Sequence, residues 1–238
     1  MCKKLVVIAV VVGLLAALAP LGVVGASGDI ASHVVISEVQ IAGVDADDEF
    51  IELYNPTGTP ISLEGWRLSK KTSGGSESNL LTAFPATSIP SHGFCLVVHK
   101  TGYQGLVTED AKYSTAQSIA ANSTVILYSD AGSTVVDKVG FGSASDYEGS
   151  PYADNPTANA SLQRKSGDGD EYGPAYDTGM NVDDFYIRAP SYPQSSASAP
   201  VEPVPELRTF VLFSVGLIGI ASVVLFRRKR VMVFSRMK

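Results

Sequence analysis

The 238-residue chain predicts an all-β domain, an antiparallel sandwich, held between two apolar ends. Three observations predict it. Short runs rich in Val, Ile, Phe and Tyr recur, each bounded by Gly, Pro, Asn, Asp or Ser. Turn chemistry separates them, as in Asn55-Pro56-Thr57-Gly58 and Ser129-Asp130-Ala131-Gly132. No long stretch between the ends shows helical periodicity.

Taken in order, residues 1–26 read as a signal peptide. Lys3 and Lys4 precede an almost wholly apolar stretch from Leu5 to Val24, and Val24-Gly25-Ala26 offers small residues for cleavage before Ser27. An uncleaved anchor is the alternative. Strands are expected at Val34–Ile41, Glu49–Tyr54, Trp66–Ser69, Phe94–His99, Thr124–Tyr128, Val135–Gly140 and Ser161–Arg164. Asp168 to Ile187 is acidic and rich in Gly and Tyr, and is expected as an ordered loop wrapping the sandwich, closing a domain of residues 27–190. Residues 191–206, SYPQSSASAPVEPVPE, are too poor in apolar side chains to pack and read as a Pro/Ser stalk.

Residues 207–230 read as a transmembrane helix with its basic stop-transfer. Thr209 to Phe226 would span about 27 Å as a helix, close to a bilayer core. Arg227-Arg228-Lys229-Arg230 then holds residues 231–238 in the cytoplasm and the domain outside, at a cell surface. The same tail resembles the prokaryotic sorting signals cut by exosortases or archaeosortases, with Pro205-Glu206 ahead of the apolar run and basic cluster.

Charge narrows the partners. Between Ser27 and Pro190 there are 9 Lys and Arg against 22 Asp and Glu, a net of −13. Such a surface repels a phosphate backbone, so no nucleic-acid partner is expected. Cys95 alone survives signal removal, in the apolar GFCLVV, and reads as a buried strand residue rather than half of a disulfide.

The ordered segments resemble the lamin tail domain, an immunoglobulin-like sandwich. VVISEV (Val34–Val39) resembles its opening strand, and EFIELYNPTGTPISLEGWRL (Glu49–Leu68) its signature of an E-x-I-E-L-x-N strand followed by G-W-x-L. Phe84–Val98, the hairpin Asn122–Gly142 ending in V-D-x-V-x-F-G, Ala160–Lys165 and Asp177–Phe185 follow in the family's order. The resemblance covers about Val34 to Pro190. It implies architecture, and function must come from a site.

Candidate sites are few. Phe50, Ile51, Leu53 and Trp66 are expected in the core. Glu52 shares a strand face with Phe50 and Tyr54 and is expected to accept hydrogen bonds or to pair with a cation such as Arg67 or Arg164. Two acidic groups carry the oxygen chemistry of a calcium site: Asp45, Asp47, Asp48 and Glu49, and Asp168, Asp170 and Glu171, which Asp177, Asp183 and Asp184 could join. Solvated acidic loops are the alternative, and no other cofactor is expected. Asn122 and Asn159 begin glycosylation patterns. His33, His92 and His99 have no metal-ligand spacing, and no G-x-S-x-G elbow occurs. A non-catalytic, membrane-anchored binding or adhesion module with a protein or glycan ligand is the expected function. The alternatives are a structural envelope component processed by a sorting transpeptidase, and a hydrolase using acidic loop residues.

Overall fold

A computed structural model describes residues 30–85, 87–130, 134–167 and 173–201. The predicted signal peptide and transmembrane helix lie outside these residues. Among the described residues no helix is long and apolar enough to cross a membrane.

The described residues form twelve strands: β1 (Val35–Gln40), β2 (Phe50–Tyr54), β3 (Ile61–Ser62), β4 (Arg67–Lys71), β5 (Glu77–Leu81), β6 (Ser88–Ile89), β7 (Phe94–His99), β8 (Ala111–Tyr113), β9 (Thr124–Ser129), β10 (Thr134–Gly140), β11 (Ser161–Arg164) and β12 (Phe185–Arg188). One four-residue helix, α1 (Asn181–Asp184), precedes β12. A six-stranded sheet in the order β12-β11-β1-β2-β7-β8 faces a four-stranded sheet in the order β10-β9-β4-β5, and β3 and β6 form a small ribbon. All pairings are antiparallel except β7 with β8.

Alternation builds the core between the sheets. Ile36, Val39, Ile51, Leu53, Cys95, Val97 and Leu162 of the large sheet meet Leu68, Val125, Leu127 and Val139 of the small one. Trp66 packs against this core but is only half-buried, because it lies before β4 begins, at the rim. Gly65, at φ +78, makes the left-handed turn that sets it there.

A buried ion pair also crosses the sandwich. Arg164 Nη2 lies 2.7 Å from Asp137 Oδ2. Asp137 also accepts from the Ile36 N–H at 2.6 Å, while Arg164 Nε donates to the Ile36 carbonyl at 2.9 Å. Register shifts between Ile36 and Glu38 of β1 and between Val135 and Asp137 of β10. These irregularities leave backbone groups for the two side chains to satisfy.

Every residue of β1, β2 and β7 is buried, so the large sheet is covered on its outer face too. At one end Val35, Tyr54 and Phe94 pack with Ala31, Ala175 and Val201. At the other, Phe50, Leu96 and Val98 pack with Tyr103 and Val107.

Between these ends lies the segment expected as a stalk. Over 191–201 it is instead docked on the sheet, and its Ser195 is buried. Composition misleads here because the docking groups are backbone N–H donors, which any residue but proline supplies. Residues 202–206 lie outside the described residues. The expected wrapping loop is corrected as well. Its end forms α1 and β12, which pairs residue for residue with β11.

Candidate functional site

The outer face of the large sheet carries two carboxylates. Glu38 and Glu52 are direct cross-strand partners on β1 and β2, and both are buried. Like charges facing each other across a ladder repel, and burial disfavours ionisation further. Burial, then Glu38 itself, holds the Glu52 carboxyl well above the usual carboxylate range. Burial likewise raises Glu38.

The expected cationic partners of Glu52 are elsewhere. Arg67 bonds Ser69 and Asn79 on the small sheet and lies over the Tyr128 ring. Arg164 points into the core toward Asp137. Glu52 faces the opposite way, because strand side chains alternate. It accepts instead from Ser37 Oγ at 2.6 Å and the Gln194 N–H at 2.6 Å. Glu38 accepts from Ser161 Oγ and, at 3.0 Å, the Tyr192 N–H.

A third carboxylate completes the pattern. Asp110 Oδ2 accepts the Ser196 N–H at 3.0 Å and also the Leu96 N–H at 2.8 Å. Tyr192, Gln194 and Ser196 are alternate residues, so an extended strap presents every second N–H to the sheet and meets a carboxylate each time. Farther along, the Val201 N–H donates to the His92 carbonyl at 2.8 Å.

Beside the strap runs a cleft of about 740 Å³. Gln40 and Phe50 form its floor. Its walls are the 44–48 and 103–107 loops, Asn159 and the strap. Tyr103 stands edge-on to Phe50, with ring centroids 6.3 Å apart. Leu106 is fully exposed, Val44 is 71% exposed and Tyr192 62%. Arg188 covers one face of the Tyr192 ring at 4.9 Å. Asp48 is the one ionised-type side chain in the lining, and its two oxygens accept the Val44 and Gln104 N–H groups at 3.0 Å each. Gln40 is held by Ser191 Oγ and by its own bond to the Asp48 carbonyl. What the cleft offers a ligand is therefore uncharged: amides, hydroxyls and apolar or aromatic surface.

The first acidic group is turned to loop structure. Asp48 is buried and bonded as above, exposed Asp45 accepts from Gln104 Nε2, and Asp47 is exposed. Among the described residues no group of three or more His, Cys, Asp or Glu is arranged to hold a metal ion. Asp168, Asp170 and Glu171 lie outside the described residues.

Glu49, the last member of the first acidic group, is turned to structure as well. It is buried, accepts from Tyr113 Oη and from the Ile119 N–H at 2.9 and 3.0 Å, and burial pushes its carboxyl up to about 7. It joins β2 to the segment before β9. Cys95 is buried in β7, where desolvation pushes its thiol far up. Asn122 adopts φ +61, and its Oδ1 accepts from the Ser143 N–H and from Asn155 Nδ2. A Cβ on Gly142 would meet that Oδ1 at 2.2 Å, so the G closing the V-D-x-V-x-F-G element leaves room for this polar corner. Asn159 is exposed at the cleft edge.

Leu106, Tyr192 and Gln194 carry the cleft, and the sequence marks them weakly. The available signal was a tyrosine and a glutamine opening a segment otherwise made of Pro, Ser and Ala.

The Lamin Tail Domain family model matches residues 30–143. That stretch holds β1 to β10; β11 and β12, which flank β1 in the large sheet, follow it. No curated protein matches the chain. Among solved structures, a DUF4876 family protein from Bacteroides thetaiotaomicron VPI-5482 is similar, with a TM-score of 0.51 and 11% sequence identity over 72% of this chain and 74% of that one. Likeness at that identity concerns the fold.

Proposed function

We propose that this lamin-tail-type sandwich is an exported, membrane-anchored binding module without catalysis of its own, which takes a neutral saccharide in the cleft beside the strap. The observation that carries the reading is the lining of that cleft. A domain with a net charge of −13 over residues 27–190 keeps one large groove whose free groups are uncharged. Amides of Asn159 and Gln194 and a tyrosine ring with one face backed by Arg188 suit hydroxyl-rich, flat-faced ligands. A charged ligand would find no ion partner there, and an extended peptide would find no open strand edge.

Placement supports display. Val201, the last described residue of the strap, packs on the same cluster as Ile30, where the described residues begin. The cleft lies at the other end of β1 and β2. A C-terminal membrane span would therefore hold the cleft away from the bilayer.

The test is a glycan and peptide array probed with the full chain in detergent. Neutral glycans are expected to bind, and Leu106→Asp and Tyr192→Ala to remove binding while the melting temperature holds. Binding to peptides alone, or binding untouched by both substitutions, would overturn the reading.

A further inference from the structure

We propose that the strap, and with it one wall of the cleft, stays docked only while the Glu38–Glu52 pair holds a proton, which makes the site responsive to pH. The inference concerns regulation of the proposed binding cleft and rests on that reading for its consequence, though not for its test.

The geometry is that of two facing acids sealed under a lid of backbone. Cross-strand partners sit about 5 Å apart at their Cα atoms. Each carboxyl gives one oxygen to a strap N–H, from Tyr192 and from Gln194. Glu38 Oε2 is buried with no hydrogen-bond partner among the described residues. A buried carboxylate oxygen without a donor costs more than a buried neutral carboxyl does, because charge adds to the desolvation penalty. One proton on the pair removes the mutual repulsion and leaves acceptors for both strap N–H groups.

The surroundings favour that state. Arg188 on β12 is the cation facing the pair, and its field favours ionisation of both acids, yet burial outweighs it in each. Asp110, ahead of β8, adds negative charge along the strap's path. Ser37, Ser161 and the strap are neutral at the contact, and Cys95 and Tyr103, which feel Glu52 and Glu38, are themselves pushed toward their neutral forms.

The sign follows. Carboxyls raised in the docked state stabilise docking fully below their ordinary value of 4.5, and that contribution is lost as pH climbs through the raised values. Loss of both protons leaves two buried negative charges, relieved when residues 191–196 lift and water enters. Because Tyr192 and Gln194 line the cleft, lifting dismantles its wall.

Amide hydrogen exchange of the full chain in detergent tests this without any ligand. Protection of residues 191–196, normalised to intrinsic exchange, is expected to fall about tenfold or more between pH about 5 and about 9, while β9 stays protected. The Glu38→Gln/Glu52→Gln variant is expected to keep the strap protected throughout. Should the double variant not fold, Glu52→Gln alone, which leaves Glu38 without its like-charged neighbour, is expected to show a smaller fall than wild type. A flat wild-type profile overturns the proposal, as does an equal fall in the variants. If the strap responds but no saccharide binds, the binding reading fails and this one stands. If a saccharide binds and the strap is indifferent to pH, the reverse holds.

Discussion

Arg164 and Asp137 meet at 2.7 Å with both side chains fully buried, and each also bonds the backbone of Ile36. The pair spans the two sheets at the irregular register of β1. Arg164 has further acidic neighbours in Asp177 at 3.6 Å and Asp184 at 3.9 Å.

Removing Asp137 takes away the anion in hydrogen-bonding contact with the buried Arg164 and orphans the Ile36 N–H, with Asp177 and Asp184 left at longer range. Asp137→Ala is expected to lower stability by about 3 kcal/mol. Asp137→Leu with Arg164→Met is expected to recover little of that loss, because buried Asp184 then loses its cation. Urea denaturation of the three proteins checks the order.

Glu49 gives the fold a pH dependence of its own. Its carboxyl ordinarily titrates at 4.5 and here at about 7, burial being the main cause. The stability linked to it is whole below about 4.5 and is lost as pH rises through about 7, on the order of 3 kcal/mol. Glu148, also raised to about 7 by burial and then by Asp137 and Asp177, acts in the same direction. Glu49→Gln is expected to flatten the profile of unfolding free energy between pH about 5 and about 8.5.

Asn55 closes the turn after β2. Its Nδ2 donates to the Thr59 carbonyl at 2.8 Å and the Pro90 carbonyl at 3.0 Å, and its Oδ1 accepts from the Thr57 N–H and hydroxyl at 3.0 and 2.8 Å. Asn55 is buried while its partners are half-buried or exposed, so Asn55→Ala removes the bonds but leaves those partners access to water, and a loss of about 1–2 kcal/mol is expected by thermal denaturation. Asn55→Asp is expected to be worse, since a carboxylate would face two carbonyls.

Cys95 should be silent in the native protein. A buried thiol held in its neutral form is a poor nucleophile. Iodoacetamide is expected to leave it unmodified near neutral pH and to label it fully in denaturant, as read by intact mass.

All seven strands expected from the sequence have counterparts in the structure; most carry apolar, β-branched runs, while β4, RLSKK, and β11, SLQR, do not. Of the five missed, β12, FYIR, carries that signal at the end of an acidic segment, and the other four fail it for physical reasons. β5, ESNLL, is an edge strand whose Glu77 and Asn79 serve Arg67 instead of a core. β3, β6 and β8 span two or three residues, too short for a period to show. The site was less legible than the fold. Glu52 drew notice as an acid among aromatics, but its partner is a backbone N–H more than a hundred residues later. Backbone donors leave no mark in composition, so SYPQSSASAP reads as a linker although it completes the sheet's outer layer.

The route of the strap also decides how the domain answers a pull. Force applied beyond Val201 reaches the Val201–His92 bond first, then Ser196, then Gln194 and Tyr192. The contacts would open one after another, as in peeling, while the sandwich stays unloaded behind Ser191. A tug on the tail would thus reshape the cleft well before it threatened the fold.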